Sequence, residues 1–362
     1  MGYVVPQLMG KSHFNSVITI VFMKLFLLVS TLFLANIVTP FIACAQSLPV
    51  DAVYGPELEG YSYPYPIEYF EFKSQGVDMR MAYMDIRPKS ENGTTIVLLH
   101  GKNFCAATWV GTAQFLVEHG YRVIAPDQIG FCKSTKPEKY QYTFQQLGVN
   151  TKALLDHLGV SHAVMMGHST GGMLAIRYAL MYPEKVKQLV LVNPVGLEDW
   201  KAKGIPYPTV DQWYQRELGT NAGRVRNYER STYYVGQWRE EFEAPVQMYA
   251  GMYQGPGREI VAWNSALIYD MIFTQPIFYE LEQLKVPTLL LIGTKDTTAI
   301  AKDFAPTEIR PLLGNYSQLG KAAAKKIPQA TLIEFDNLGH APQIQDPIIF
   351  NTALLQGIEG SN

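Results

Sequence analysis

The chain has 362 residues, 48% of them hydrophobic, a formal charge of -2 and three cysteines. That length and apolar content can bury one large core with a smaller unit beside it, which excludes a small disulfide-stapled module. The near-neutral balance, without a basic stripe or an acidic run, argues against nucleic acid as a partner, and no obligate protein partner is evident.

The first 45 residues differ from the rest. Met23-Lys24 is followed by an apolar run from Leu25 to Ile42 and then by Ala43-Cys44-Ala45. A positive start, an apolar middle and a small-residue end are the parts of a secretory signal. Translation is therefore expected to begin at Met23, with cleavage near Ala45 and an exported, periplasmic or secreted, product. The alternative is a membrane anchor from Val17 to Ile42, against which Lys24 counts, because a charge inside such a span costs about 2.5 to 3.5 kcal/mol. A lipid-modified Cys44 is the third option. The two other cysteines, Cys105 and Cys132, lie in loops that follow apolar strands. An oxidising compartment permits them to pair, closing a loop worth roughly 3 to 4 kcal/mol. Two unpaired, half-buried thiols are the other reading.

Residues 46–65, with Pro49, Pro56 and Pro64, read as an extended arm. Ile67–Phe72 and Val77–Ile86 alternate like an opening antiparallel pair. From Thr95 the pattern changes to continuous apolar runs, as expected of strands covered on both faces: Thr95–Leu99, Arg122–Ala125, Ala163–Met166, Leu189–Val192, Thr288–Ile292 and Thr331–Phe335. Helical stretches separate them at Thr108–Glu118, Phe144–Leu158 and from Gly172 to the stop at Pro183, and another closes the chain near Ile348–Leu355. Strands alternating with helices imply an α/β fold with a mostly parallel, doubly wound sheet. The alternation breaks between about Gly196 and Lys285, a stretch without a buried strand that holds four of the five tryptophans. A helical cap, residues 197–285, is expected there, inserted into a core of residues 66–196 and 286–362.

Gly167-His168-Ser169-Thr170-Gly171 lies between a buried strand and a helix, as a nucleophile elbow does. The pentapeptide alone arises by chance in roughly one chain of this size in ten. Its weight comes from company. Asp296 lies four residues past Ile292 and His340 five past Phe335, both at the ends of later strands. The order serine, aspartate, histidine fits a nucleophile, an orienting acid and a general base on such a sheet. An oxyanion hole would take one backbone N–H from Thr170 and one from Lys102, in the His100-Gly101-Lys102-Asn103-Phe104 turn after Leu99. The Lys102 side chain is expected to be a solvated ammonium, His168 to be structural, and Asp127 to order a loop.

With His100-Gly101, Asp127-Gln128-Ile129-Gly130-Phe131, the elbow, Asp296 and Gly339-His340 in this order, the chain resembles the α/β-hydrolase superfamily over residues 65–358, in the branch with a cap after the sixth strand. The resemblance implies neighbouring strands before Cys105 and Cys132, which strengthens their pairing. Epoxide hydrolases and haloalkane dehalogenases look similar around Asp127–Pro137, but they attack with an aspartate where this chain has Ser169. Serine implies acyl chemistry: an ester-type carbonyl substrate, an acyl-enzyme, and no cofactor or metal. Carbon–carbon bond hydrolases also use serine and are the second reading. They tend to carry a Gly/Ser-rich oxyanion loop and a tryptophan after the histidine, unlike Lys102-Asn103 and Ala341 here. A ligand-binding protein that has lost turnover is the alternative of another class. The cap aromatics suit a small, apolar substrate, or they simply join cap and core.

Overall fold

A computed structural model describes residues 52–360, and the expected leader lies outside them. Among the described residues no helix is long and apolar enough to cross a membrane.

Among the described residues eight strands form one sheet: β1 (Glu68–Ser74), β2 (Val77–Ile86), β3 (Thr95–Leu99), β4 (Arg122–Pro126), β5 (Ala163–His168), β6 (Val186–Val192), β7 (Thr288–Gly293) and β8 (Ala330–Phe335). Their order is β1-β2-β4-β3-β5-β6-β7-β8. β2 runs antiparallel to β1 and β4, and every other pairing is parallel. The order reverses at β3, whose neighbours are β4 on one side and β5 on the other. Crevices outside strand ends open at such reversals, so the loops after β3 and β5 face one another there.

The helices are α1 (Val110–Glu118), α2 (Phe144–His157), α3 (Thr170–Met181), α4 (Val210–Leu218), α5 (Ala222–Thr232), α6 (Glu243–Gln254), α7 (Arg258–Thr274), α8 (Tyr316–Lys326), α9 (Pro342–Gln345) and α10 (Pro347–Glu359). Alternate residues of each central strand serve opposite layers. Val97, Leu99, Met165, Leu191, Leu290 and Ile292 pack with residues of α2, α3 and α8, whereas Ile96, Leu98, Val164, Met166, Val190 and Leu291 pack with α1 and α10. This two-sided burial is why these strands read as unbroken apolar runs.

Helices α4 to α7 stand between β6 and β7. Thr209 starts α4 with a reciprocal cap: its hydroxyl accepts from Gln212 N–H while its own N–H donates to the Gln212 side chain. Asn221 caps α5 through Arg224 N–H. The tryptophans of this stretch mostly hold it together: Trp213 stacks on Tyr269 at 4.5 Å and Trp200 on Phe273 at 6.3 Å. Residues 52–66 form no regular element; the segment starts along α6, where Ala52 N–H donates to the Gln247 side chain at 3.2 Å and Tyr54 N–H to Gly251 C=O at 3.0 Å. A Cβ on Gly251 would stand 2.4 Å from the Tyr54 ring, so the glycine permits this close passage.

The expected helix start at Gly172 moves to Thr170, and β5 extends to His168. Strand and helix therefore abut at one residue, Ser169. A conventional start would need an intervening turn, and the glycines allow the chain to do without it.

Candidate active site

Ser169 occupies that joint with φ 56° and ψ -120°, a left-handed conformation that an L-residue adopts only under strain of about 1 to 3 kcal/mol. Three glycines let the backbone close around it. A Cβ on Gly167 would lie 2.1 Å from Gly171 O, one on Gly171 2.2 Å from Leu99 O, and one on Gly172 2.6 Å from Pro194 Cβ. Ser169 N–H is held by Val192 C=O at 3.0 Å. The following amide, of Thr170, opens α3 and belongs to the helix-initial N–H groups that have no partner within the helix.

The loops after β7 and β8 bring Asp296 and His340 together, both buried, with His340 Nδ1 donating to Asp296 Oδ2 at 2.6 Å. Asp296 is itself aimed by neighbours. Thr298 N–H donates to Oδ1 at 2.7 Å and Asn193 Nδ2 to Oδ2 at 2.9 Å. Asn193 also accepts from Gly293 N–H at 2.8 Å, so it ties the end of β6 to the end of β7. With Nδ1 committed to the carboxylate, His340 Nε2 is left buried and without a hydrogen-bond partner, able to accept a proton. The histidine loop is seated on glycine too: a Cβ on Gly293 would meet Gly339 O at 2.1 Å.

His168 fastens this loop to the elbow, since its Nε2–H donates to His340 C=O at 2.8 Å. Burial, and then the neighbouring His340, push its pKa well below the ordinary imidazole value, so it stays neutral. That fits a structural side chain.

The turn after β3 closes through Phe104 N–H to Gly101 C=O at 3.1 Å, a bond that leaves the amide of Lys102 outside it. A Cβ on Gly101 would stand 3.1 Å from Ser169 Cβ, so the turn lies directly against the elbow. His100 supports it from behind, with Nδ1 bonded to Gly101 C=O at 2.8 Å and Nε2 accepting from Gln128 N–H at 3.1 Å. Cys105 and Cys132 are joined in a disulfide, with Cα atoms 5.8 Å apart. Beside it Asp127 gathers Ala106 N–H at 2.8 Å, Lys133 N–H at 3.1 Å and Tyr63 O–H at 2.6 Å, which makes it a loop-ordering residue. Cys105, Cys132 and Asp127 stand close enough to suggest a metal site. The sulfurs are bonded to one another and the carboxylate is filled with donors, so they offer no free ligand.

The expectation of a solvated Lys102 ammonium is wrong. The side chain is only 7% exposed, and Nζ donates to Glu217 Oε2 at 3.0 Å and to Tyr249 Oη at 2.8 Å. It also lies 3.8 Å from the centre of the Tyr269 ring. The loop position suggested solvent, but α4, α6 and α7 fold over it. Burial opposes the ammonium, yet Glu217 and the tyrosines outweigh it and raise its pKa above the ordinary lysine value. Burial likewise opposes the Glu217 carboxylate, and Lys102 and Arg216 overcome this and hold its pKa at about 2.

The Tyr233 ring covers His340 with centres 4.7 Å apart and touches Phe104 at 5.6 Å, while its hydroxyl accepts from Asn103 Nδ2 at 3.1 Å. A cavity of about 270 Å³ is lined by Tyr228, Thr232, Tyr269 and Thr297 among others. Asn193, Glu217 and Tyr233 escape sequence reading because none belongs to a local motif. The position of Asn193, immediately past a buried strand on the elbow's side, is the one available signal.

Residues 94–347 match the sequence profile of the α/β hydrolase fold. The chain belongs to the α/β-hydrolase fold family. It is a hydrolase. Among solved structures of the family, a probable hydrolytic enzyme from Pseudomonas aeruginosa PAO1 superimposes with a TM-score of 0.85 and 63% identity, covering 85% of this chain and 99% of that one. A thermophilic esterase from Thermogutta terrifontis shares the fold at a TM-score of 0.62 and 21% identity, over 81% and 99% of the two chains. By sequence, a non-heme chloroperoxidase from Streptomyces lividans is 27% identical over 296 residues, 75% of this chain and 94% of that protein.

Proposed function

We propose that this hydrolase cleaves ester-type acyl substrates through an acyl-enzyme on Ser169. The observation that carries the reading is the His340–Asp296 bond of 2.6 Å with the opposite imidazole nitrogen buried and unpartnered, on a loop bonded to the residue before a strained serine. His340 takes the proton of Ser169 and the alkoxide attacks the substrate carbonyl. The amides of Thr170 and Lys102 receive the oxyanion that forms. Collapse expels the alcohol, protonated by His340, and leaves the acyl group on Ser169. Water activated by the same imidazole then releases the acid. Asp296 holds the ring in the tautomer with Nδ1 protonated and stabilises its cation. Each oxyanion donor supplies about 3 to 4 kcal/mol of transition-state stabilisation. The expected substrate is a small, largely apolar ester or related acyl compound, held between the β3 turn and the tyrosines of α5 to α7.

Export belongs to the same reading, and the Cys105–Cys132 bond supports it, since such bonds persist in oxidising compartments. The test is labelling with a fluorophosphonate together with hydrolysis of 4-nitrophenyl esters. Stoichiometric labelling and turnover, both abolished by Ser169→Ala, are expected. A folded protein that neither labels nor turns over would overturn the acyl-enzyme reading on Ser169. Turnover confined to vinylogous diketones would place the activity with carbon–carbon bond hydrolases.

A further inference from the structure

Lys102 and Glu217 form a buried ion pair across 115 residues of sequence, joining the turn after β3 to the end of α4. Glu217 Oε2 accepts not only from Lys102 but from Ser265 Oγ at 2.6 Å, Tyr253 O–H at 2.9 Å and Tyr249 O–H at 3.3 Å. One carboxylate oxygen thus gathers α4, α6, α7 and the turn into a single knot. Such a pair is a poor source of stability, because removing two ions from water costs about as much as their attraction returns. What it does impose is geometry. Glu217 satisfies the ammonium only when the helices between β6 and β7 lie down on the turn.

The consequence concerns the backbone of the same residue. The turn is closed by one hydrogen bond, Phe104 N–H to Gly101 C=O, and Lys102 sits at its second position with Gly101, the most pliable of residues, immediately before it. The disulfide and Asp127 anchor the chain from Cys105 onward, and His100 anchors it before Gly101. Between these anchors the Lys102 side chain reaches out to α4 and α6, while its amide is the donor assigned above to the oxyanion. We propose that Lys102 is a positioning residue: its side chain, through Glu217, orients its own amide toward Ser169 and so couples oxyanion stabilisation to docking of the helical insertion. This rests on the serine-hydrolase reading for its catalytic meaning, although the coupling is a property of the fold.

The experiment compares Lys102→Met, Glu217→Gln, the double variant and Lys102→Arg with the unsubstituted chain. It measures kcat and KM on 4-nitrophenyl butyrate, inhibition by an alkyl trifluoromethyl ketone, and deuterium uptake of residues 100–104 and of α4. Each single variant is expected to lose about 10- to 100-fold in kcat, somewhat less than removing an oxyanion donor outright. KM should stay within about threefold, and inhibition by the ketone, which forms a tetrahedral adduct, should weaken in step with kcat. Uptake should rise in the turn and in α4 together. The double variant leaves no half of the pair unpartnered and should be as impaired as either single, with Lys102→Arg recovering part of the loss. The proposal is overturned by unchanged kcat, by a double variant restored to full kcat, or by uptake in the turn that ignores Glu217→Gln. If the unsubstituted chain shows no Ser169-dependent turnover, the serine-hydrolase reading falls, and the uptake measurements still decide the coupling.

Discussion

Replacing Cys105 and Cys132 together by alanine opens a loop closed across 27 residues. In the chain-entropy treatment, a closure of that length removes about 12 cal/mol/K from the unfolded chain, or about 3.5 kcal/mol at 25 °C. The folded site should barely change, because Asp127 holds the same two loops: its Oδ1 takes Ala106 N–H and its Oδ2 takes Lys133 N–H. Stability and catalysis are therefore expected to separate. Both cysteines are buried, so the alanines also lose some packing. Unfolding the unsubstituted chain in urea with and without a thiol reductant isolates the effect of closure. The expected result is a fall of about 3 to 4 kcal/mol on reduction, a slightly larger one for the double variant, and kcat per folded molecule within about threefold of the starting value. A difference under about 1 kcal/mol, or full alkylation of both cysteines in denatured, unreduced protein, would refute the closure argument. Collapse of kcat in a still-folded double variant would refute the role given to Asp127.

Two further predictions concern titratable groups. Asp296→Asn removes the charge that accepts from His340 and Asn193; kcat should drop by about 10⁴ with KM little changed, and a loss below tenfold would show that the tautomer is set some other way. Glu229 is fully buried on α5 with neither carboxylate oxygen hydrogen-bonded, and burial followed by the charge of Glu243 raises its pKa well above the ordinary glutamate value. The stability its neutral form allows is complete below that value and falls as pH rises toward the displaced pKa, by up to about 1.4 kcal/mol per pH unit. Glu229→Gln should flatten that slope in urea unfolding between pH 5 and 8, and parallel slopes for the two chains would count against it.

The sheet was legible from two patterns: β1 and β2, exposed along part of one face, alternate, and the central strands β3 to β7, buried on both faces, read as continuous apolar runs; β2 and β3 appear at their observed limits, the others within a few residues. The disulfide was legible only in part. Cys105 and Cys132 have loop positions that any reading finds, but their proximity depends on β3 and β4 being neighbours. The burial of Lys102 is not legible in the sequence, because a lysine in a glycine-containing turn is ordinarily solvated and nothing within the turn announces Glu217.

By itself, then, the sequence determined the order of elements, the elbow at Ser169 and the candidacy of Asp296 and His340. Those features depend on residues near one another in the chain, where periodicity, glycine placement and strand ends act locally. The tertiary structure alone decided that Asn193 steadies Asp296, that Tyr233 roofs His340 and that Lys102 is clasped by Glu217. Each of these joins segments that are distant in sequence and meet through packing of the helices on the sheet. A polar group buried by that packing pairs with what the packing delivers, since one left without a partner, as the Glu229 carboxyl is, costs about 1 to 3 kcal/mol.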